Sequence, residues 1–392
     1  MFENLKMSDE NEDMVIWNFT NDMEEYSSKR GCIMNKENRV VCPSLGFIFE
    51  ISRENEEDNK ERLKDMNFWR WSYSVEGTML RLFFYKKKWY LSTHKKISAF
   101  HSRWSCKFSF GELFTQALEE IYGKREDIYE WFLSQLSEDK IYYFLLRSNF
   151  QNRIICHTSR IETRDKIIYI GYKNNKNYEL DFREDHKIFE KLGKIPYIEN
   201  KFHSLNHLYE FIEKNIDPFE YQGLFGYNTR TNEFVKIMNS RYKDLVKVRG
   251  NNHNLRFRYL EVRKDKIMVE KLYMLYPKFS SIFDEYERFI YKIAKKIYKV
   301  YVERFLNMKY VTLPKEEYII LKKCYDWFLK NKQEKISINN VLQIINNENP
   351  YYLYKMIQRI RNDDNIEDHL KRQVDKNSFD SLQDFYKMDV GE

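Results

Sequence analysis

Residues 81–93 read RLFFYKKKWYLST and constrain the fold more than any other stretch of the chain. Two short aromatic and aliphatic runs, 81–85 and 89–93, flank Lys86, Lys87 and Lys88. Runs of this length and content favour strands, so the segment predicts a β-hairpin with a basic tip. A second hairpin is predicted over 223–227 and 233–238, joined by the polar segment Asn228–Asn232.

Other signals place helices and further strands. Ser109 and Glu112 have capping-box spacing, so a helix follows to about Ile121 and stops before Gly123. Strands are expected at 141–146, 153–157 and 166–172, and Ser204 caps a helix that runs through Lys214. Composition shifts near Pro277. Ile282, Tyr286, Phe289, Ile293, Ile297 and Val300 then recur at three- and four-residue steps, opposite a face bearing Lys292, Lys295, Lys296 and Lys299. That is an amphipathic helix, and further helical patterns follow Pro314, Ser337 and residue 351. The chain therefore reads as α+β. An acidic segment over 1–66 packs on a core of antiparallel sheets and helices at 67–277, with a helical domain at 278–370 and a polar tail at 371–392.

A chain of 392 residues with 17% aromatic and 32% charged residues buries a large core and belongs to the soluble globular class. The formal charge of +7 suits a nucleic-acid or nucleotide ligand without singling one out. Five scattered cysteines with no CxxC spacing predict free thiols in a reducing compartment and argue against a zinc site. The acidic start lacks an apolar signal region and no apolar run reaches membrane-spanning length, so a cytosolic (or viral-factory) protein is expected.

Five blocks, in order, carry a resemblance. They are Glu76-Gly77-Thr78; Trp89 to Lys95, with Ser92-Thr93-His94-Lys95; Tyr143 to Leu146 followed by Gln151-Asn152-Arg153-Ile154-Ile155; Tyr221-Gln222-Gly223-Leu224; and Phe234 to Tyr242, with Lys236-Ile237-Met238. Together they resemble the covalent nucleotidyltransferases, and especially the RNA ligase 1-like proteins of phages and large DNA viruses. The resemblance covers about residues 70–245 and implies a ligase adenylation core of the ATP-grasp-like kind. It also implies ATP and Mg or Mn as cofactors, and RNA ends as partners. In that chemistry a lysine amine attacks the α-phosphate and forms a phosphoramidate.

The departures fall on that catalytic path. Ser74 stands where the resemblance puts the lysine, Leu145 and Gln222 stand where it puts glutamates, and Met238 replaces a second lysine. A serine hydroxyl without a base is a poor nucleophile, and losing two carboxylates weakens a metal site. Two readings stay open: an RNA ligase-like enzyme with a rerouted nucleophile, or an inactive relative that binds RNA or a protein partner. Under the first reading Lys95 is the candidate nucleophile and Glu76 its metal or amine partner. Under the second, Lys95 is an exposed hairpin lysine or a phosphate contact, and Glu76 sets the turn. Arg81, Thr93, Gln222 and Lys236 are the candidate nucleotide contacts, although Arg81 could also point outward from its strand. His94, His101 and His157 are assigned no role as a base.

Farther along, Arg249, Arg256, Arg258 and Arg263 offer donors for a nucleic-acid backbone. A strand reading puts Arg256 and Arg258 on one face, with Phe257 and Tyr259 on the other. A charged, solvated strand edge explains the same pattern.

Overall fold

The computed structural model describes residues 5–19, 31–54, 56–104, 106–148, 162–175, 178, 180–183, 186–199, 202–331 and 334–362. The expected strand at 153–157, with Asn152, Arg153, Cys156 and His157, lies outside them. The chain forms two compact units, Met1–Arg249 and Gly250–Glu392.

Among the described residues the first unit holds three sheets. Strands β1 (Leu5–Glu10), β2 (Met14–Phe19), β3 (Cys32–Asn35) and β4 (Val40–Cys42) form an antiparallel meander. Then come β5 (Ile48–Ile51), α1 (Glu56–Arg62) and β6 (Trp69–Ser74), followed by the basic hairpin of β7 (Thr78–Tyr85) and β8 (Lys88–Ser92). Helices α2 (Phe110–Tyr122) and α3 (Ile128–Ser134) precede β9 (Lys140–Leu146), β10 (Ile167–Asn174), β11 (Leu180–Asp181) and β12 (Gly193–Lys194). Helix α4 (Leu205–Asn215), the hairpin of β13 (Gly223–Asn228) and β14 (Phe234–Met238), and α5 (Ser240–Arg249) complete the unit.

The second sheet runs β11-β10-β9-β7-β8, with β12 added parallel to β10, and the third runs β5-β14-β13-β6. The capping box at the start of α2 is formed on both sides: the Ser109 hydroxyl accepts from the Glu112 N–H and the Glu112 carboxylate accepts from the Ser109 N–H. Lys86 and Lys87 have φ of 46° and 63°, as a two-residue hairpin turn of this hand requires.

Period-two alternation gives each sheet one core face and one working face. In the third sheet Trp69, Trp71, Leu224, Val235 and Ile237 pack with Leu208 and Ile212 of α4. In the second sheet Leu80, Leu82, Phe144 and Leu146 pack with Phe114 and Leu118 of α2 and Phe132 of α3. On the opposite face, Phe83, Ile141 and Tyr143 are covered by Met14, Ile16, Ile33 and Cys42 of the N-terminal meander. Each such buried aliphatic or aromatic side chain is worth roughly 1.5–3 kcal/mol. Met79 packs at the margin of that cluster, and together with Leu145 it also forms a wall of a cavity.

The second unit is helical: α6 (Leu255–Val262), α7 (Lys266–Leu275), α8 (Ser280–Tyr301), α9 (Lys315–Lys330), α10 (Ile338–Asn346) and α11 (350–362). Helix α8 buries Phe283, Tyr286, Phe289, Ile290, Ile293 and Ile297, while Lys292, Lys295, Lys296 and Lys299 are exposed. Residues 256–263 do not form the expected strand. The Asn254 side chain accepts from the N–H groups of Arg256 (3.0 Å) and Phe257 (3.4 Å), which starts a helix. Two residues apart on a helix are about 200° apart, so Arg256 and Arg258 do not share a face.

Candidate functional site

A cavity of about 480 Å³ opens between the working faces of the second and third sheets of the first unit. The register of the third sheet sets out one wall. Arg70 stands beside Tyr227 and Tyr227 beside Phe234, while Ser72 stands beside Phe225 and Phe225 beside Lys236. Arg70, Ser72, Ser74, Phe225, Tyr227, Phe234 and Lys236 all line the cavity. The facing wall is Met79, Leu145, Tyr169 and Ile170. Residues 196–198 run along the free edge of β6, with Tyr73 N–H donating to the Pro196 carbonyl (3.0 Å) and Ile198 N–H to that of Trp71 (3.0 Å). This brings Lys194, Ile195 and Tyr197 to the mouth, near Phe182; Tyr197 is 61% exposed.

Three side chains meet at one end. The Ser74 hydroxyl donates to Gln222 Oε1 at 3.3 Å, the Lys236 ammonium donates to the same oxygen, and Gln222 Nε2 donates to the Tyr242 hydroxyl at 2.9 Å. The backbone fixes them. Gln222 N–H donates to the Ser74 carbonyl (2.8 Å), and Asn239 N–H to that of Gln222 (2.9 Å). The buried Asn239 side chain accepts from the N–H groups of Arg241 (2.9 Å) and Tyr242 (3.2 Å), so α5 starts with Tyr242 aimed at Gln222. Gly223 has φ of +149°, and a Cβ there would sit 2.0 Å from the Ile237 carbonyl oxygen. Only glycine lets the strand follow Gln222 so closely.

The lining is aromatic and cationic. Phe182, Tyr197, Phe225, Tyr227 and Phe234 supply ring surface, and Arg70, Lys194 and Lys236 supply positive charge; the Tyr169 ring is stacked on Phe189 (4.1 Å) and the Tyr73 ring packs on Tyr221 (4.4 Å). The described lining contains no Asp, Glu or His. Opposite Lys236 on β5 stands Glu50, which is exposed, lies 3.5 Å from Lys243 and does not line the cavity. Such a surface suits a ligand with a flat ring and an anionic group.

The other residues singled out from sequence lie elsewhere. Glu76 is 4% exposed and lies outside the lining, although its neighbours Val75 and Gly77 are in it; its charge acts on Arg147. Arg81 is buried and donates to the carbonyls of Gly31 and Thr93 (2.7 Å to Thr93), pinning the meander to the hairpin. It also borders a smaller cavity of about 250 Å³ with His94. The Thr93 hydroxyl accepts from the N–H groups of Lys95 (3.3 Å) and Lys96 (3.0 Å), so it closes the turn after β8. Lys95 is exposed on that turn and does not line the cavity.

The four arginines divide between the two units. Arg249 closes α5 in the first unit, is 2% exposed, and lies over the Trp104 ring at 5.6 Å. Arg256, Arg258 and Arg263 belong to the second unit. Arg258 donates to Glu261 (3.0 Å), and Arg263 makes two bonds to Glu287 (2.9 and 2.8 Å) and one to Asn346 (2.6 Å). Sequence reasoning passed over Arg70, Lys194 and Tyr197. The alternation of Arg70 with Ser72 and Ser74 was a usable signal for the first; Lys194 arrives through the short pairing of β12 with β10 and Tyr197 through the edge pairing with β6, and neither leaves a local pattern.

The donor set does not fit a carboxylate-held divalent ion. No group of three or more His, Cys, Asp or Glu residues placed to hold a metal occurs among the described residues. At the point where the resemblance expects a metal-linked carboxylate, the Gln222 oxygen is already occupied by a lysine ammonium and a hydroxyl. Hard cations favour charged oxygens and are repelled by a neighbouring ammonium.

No family model matches the chain. It is similar to two curated proteins, each described as "Immediate-early protein ICP-46 homolog". The one from Invertebrate iridescent virus 3 is 28% identical over 289 residues, covering 72% of this chain and 61% of the relative. The one from Invertebrate iridescent virus 6 is 26% identical over 298 residues, covering 73% and 64%. The chain thus spans under two thirds of the length of the relatives it matches. Among solved structures it is similar to a "Putative ATP-dependent DNA ligase from Aquifex aeolicus" (13% identity, TM-score 0.38, covering 85% of this chain and 86% of that one). It is also similar to an "Archaeal ATP-dependent RNA ligase - form 1" (9% identity, TM-score 0.39, covering 69% and 66%). At TM-scores this low neither likeness bears on function. Among the described residues no helix is long and apolar enough to cross a membrane.

Proposed function

We propose that the first unit binds a nucleotide, and through it RNA ends, in the cavity between its second and third sheets, as an RNA ligase-like protein that does not form the lysyl–nucleotide adduct. The observation that carries the reading is the lining itself: five aromatic rings (Phe182, Tyr197, Phe225, Tyr227 and Phe234) and three cations, with Ser74, Gln222 and Lys236 hydrogen-bonded at one end. Rings stack on a base, and the cations meet phosphate. Ser74, Gln222 and Lys236 stand at three of the positions that the sequence resemblance singles out, and ATP is the ligand that the resemblance implies.

Binding without covalent transfer is favoured by the placement of the lysines. Ser74 replaces the expected nucleophile, and Lys95 sits exposed on a turn outside the lining. A lysine nucleophile has to shed its proton, which burial or a neighbouring cation promotes; Lys236 instead donates to a neutral amide oxygen. No step through a metal is assigned.

The test is to incubate the chain with radiolabelled ATP and Mg²⁺ or Mn²⁺ and to measure both bound nucleotide and acid-labile label on the polypeptide. Saturable binding without label is the expected result. Label that disappears in Lys236→Met would make the chain an active nucleotidyltransferase, and absence of binding would remove the nucleotide reading altogether.

A further inference from the structure

We infer that the mouth of the cavity is a second nucleobase subsite, built from Tyr197, Phe182 and Arg70, so that the ligand is the end of a single RNA strand rather than a free mononucleotide. The inference rests on the nucleotide reading proposed for this cavity and names the class of ligand that the reading leaves open.

The register of the third sheet sets its side chains in rows across the strands. In one row Tyr197 stands opposite Ser72 and Ser72 opposite Phe225. In the next, Arg70 stands opposite Tyr227 and Tyr227 opposite Phe234. Directly opposed residues of an antiparallel ladder put their side chains on one face, so Tyr197 shares the working face with Phe225. The two residues are two strand spacings apart, about 9.6 Å, with the small side chain of Ser72 between them. The row thus forms a slot with a ring on either side.

At the outer end two large rings face solvent: Tyr197 is 61% exposed and Phe182 43%. Phe182 meets Tyr227 edge-on (5.1 Å), Tyr227 meets Phe234 (5.1 Å), and Phe234 stacks on Phe225 (5.5 Å). A continuous chain of rings therefore leads from the rim to the inner wall. Burial raises the pKa of the Tyr227 hydroxyl, Arg70 lowers it and Tyr197 raises it further, which puts both residues near that group. Rings stack on bases whatever their identity, and a guanidinium takes the phosphate of the backbone. With a first base on Phe225 and a second on Tyr197 or Phe182, the phosphate that links them falls to Arg70. That side chain is exposed, two residues from Ser72 along β6, and about 6.8 Å from it along the strand.

The experiment is calorimetric titration of the full chain with ATP, AMP, adenosine 3′,5′-bisphosphate and the 5′-phosphorylated dinucleotide pApA. The bisphosphate carries a second phosphate without a second base. One stacked base is worth about 5- to 150-fold in affinity, so pApA should bind at least about fivefold tighter than the bisphosphate. Tyr197→Ser should reduce that gain to about twofold or less. The edge pairing on either side is made by the backbone of Pro196 and Ile198, so the substitution leaves it in place. Arg70→Met should weaken pApA more than AMP and lower the salt slope of pApA binding by about 0.7. If pApA binds no tighter than the bisphosphate while ATP or AMP still binds, the second subsite is overturned and the nucleotide site stands. A gain that survives undiminished in both Tyr197→Ser and Phe182→Ser also overturns the inference. Binding of none of the four ligands overturns the nucleotide reading itself.

Discussion

Ser74 and Gln222 are bonded twice, once through the backbone, where Gln222 N–H meets the Ser74 carbonyl at 2.8 Å, and once through their side chains at 3.3 Å. The resemblance expects a lysine and a glutamate at these two places. The pair found here is neutral, and both side chains are hydrogen-bonded. Lys236 adds one positive charge to it.

Lys236→Met should separate binding from folding. The lysine is half-buried on β14, and methionine keeps most of its apolar stem. Nucleotide affinity should fall about 10- to 100-fold, roughly 1.4–2.7 kcal/mol, while the melting temperature of the free protein changes little. Calorimetry and thermal unfolding on the same sample check both halves.

Gly223→Ala should break the site through the backbone. The added Cβ meets a carbonyl oxygen at 2.0 Å, at φ +149°. Strain and loss of the β13–β14 pairing should cost more than about 3 kcal/mol, read as loss of soluble protein or a large drop in the denaturation midpoint.

The basic hairpin carries a correctable strain. Lys87 sits at φ +63° in the second turn position, where glycine is favoured. Lys87→Gly should stabilise the first unit by about 0.5–1 kcal/mol, the steric relief outweighing the added unfolded-state entropy. Denaturant melts of the two proteins decide it.

In the helical unit the Arg263–Glu287 pair predicts a pH dependence. Burial pushes the Glu287 carboxyl up, but hydrogen bonds and charge from Arg263, with the Tyr259 hydroxyl, outweigh it and hold the group below the usual carboxylate range. A depressed folded pKa contributes stability at pH above the ordinary value of about 4.3. That contribution is lost as pH falls through the lower folded value. Arg263→Ala should therefore destabilise the second unit by about 1–2 kcal/mol at pH 7, and the difference from wild type should shrink below about pH 4. Unfolding curves across that range test the sign.

How much of the molecule could be read from sequence depended on whether the cause was local. The two hairpins, the Ser109–Glu112 box and the α8 stripe are written in neighbouring residues, and they form where the patterns place them. Ser74, Gln222 and Lys236 were recognisable at motif positions far apart in sequence, and the sheet register brings them together. Arg81 misled because strand alternation gives a face but not what covers it. The meander that buries it is short-stranded and acidic, with weak periodicity. Arg256 and Arg258 misled because alternation at two-residue spacing was read without the Asn254 cap that makes the segment helical. Lys194 depends on the pairing of β12 with β10, and Tyr197 on an edge pairing with β6, and only the assembled sheets supply them.

Nucleotide binding is tested most directly by the melting temperature of the chain with and without nucleotide, alongside Lys236→Met. A ligand that binds only the folded state stabilises it by about 2.7 kcal/mol at one hundred times its Kd, which for a unit of this size is roughly 5–10 °C. A rise of that order with ATP in wild type, and a much smaller one in Lys236→Met, is the predicted result. An unchanged melting temperature in wild type at millimolar nucleotide, or an equal rise in the variant, would contradict it.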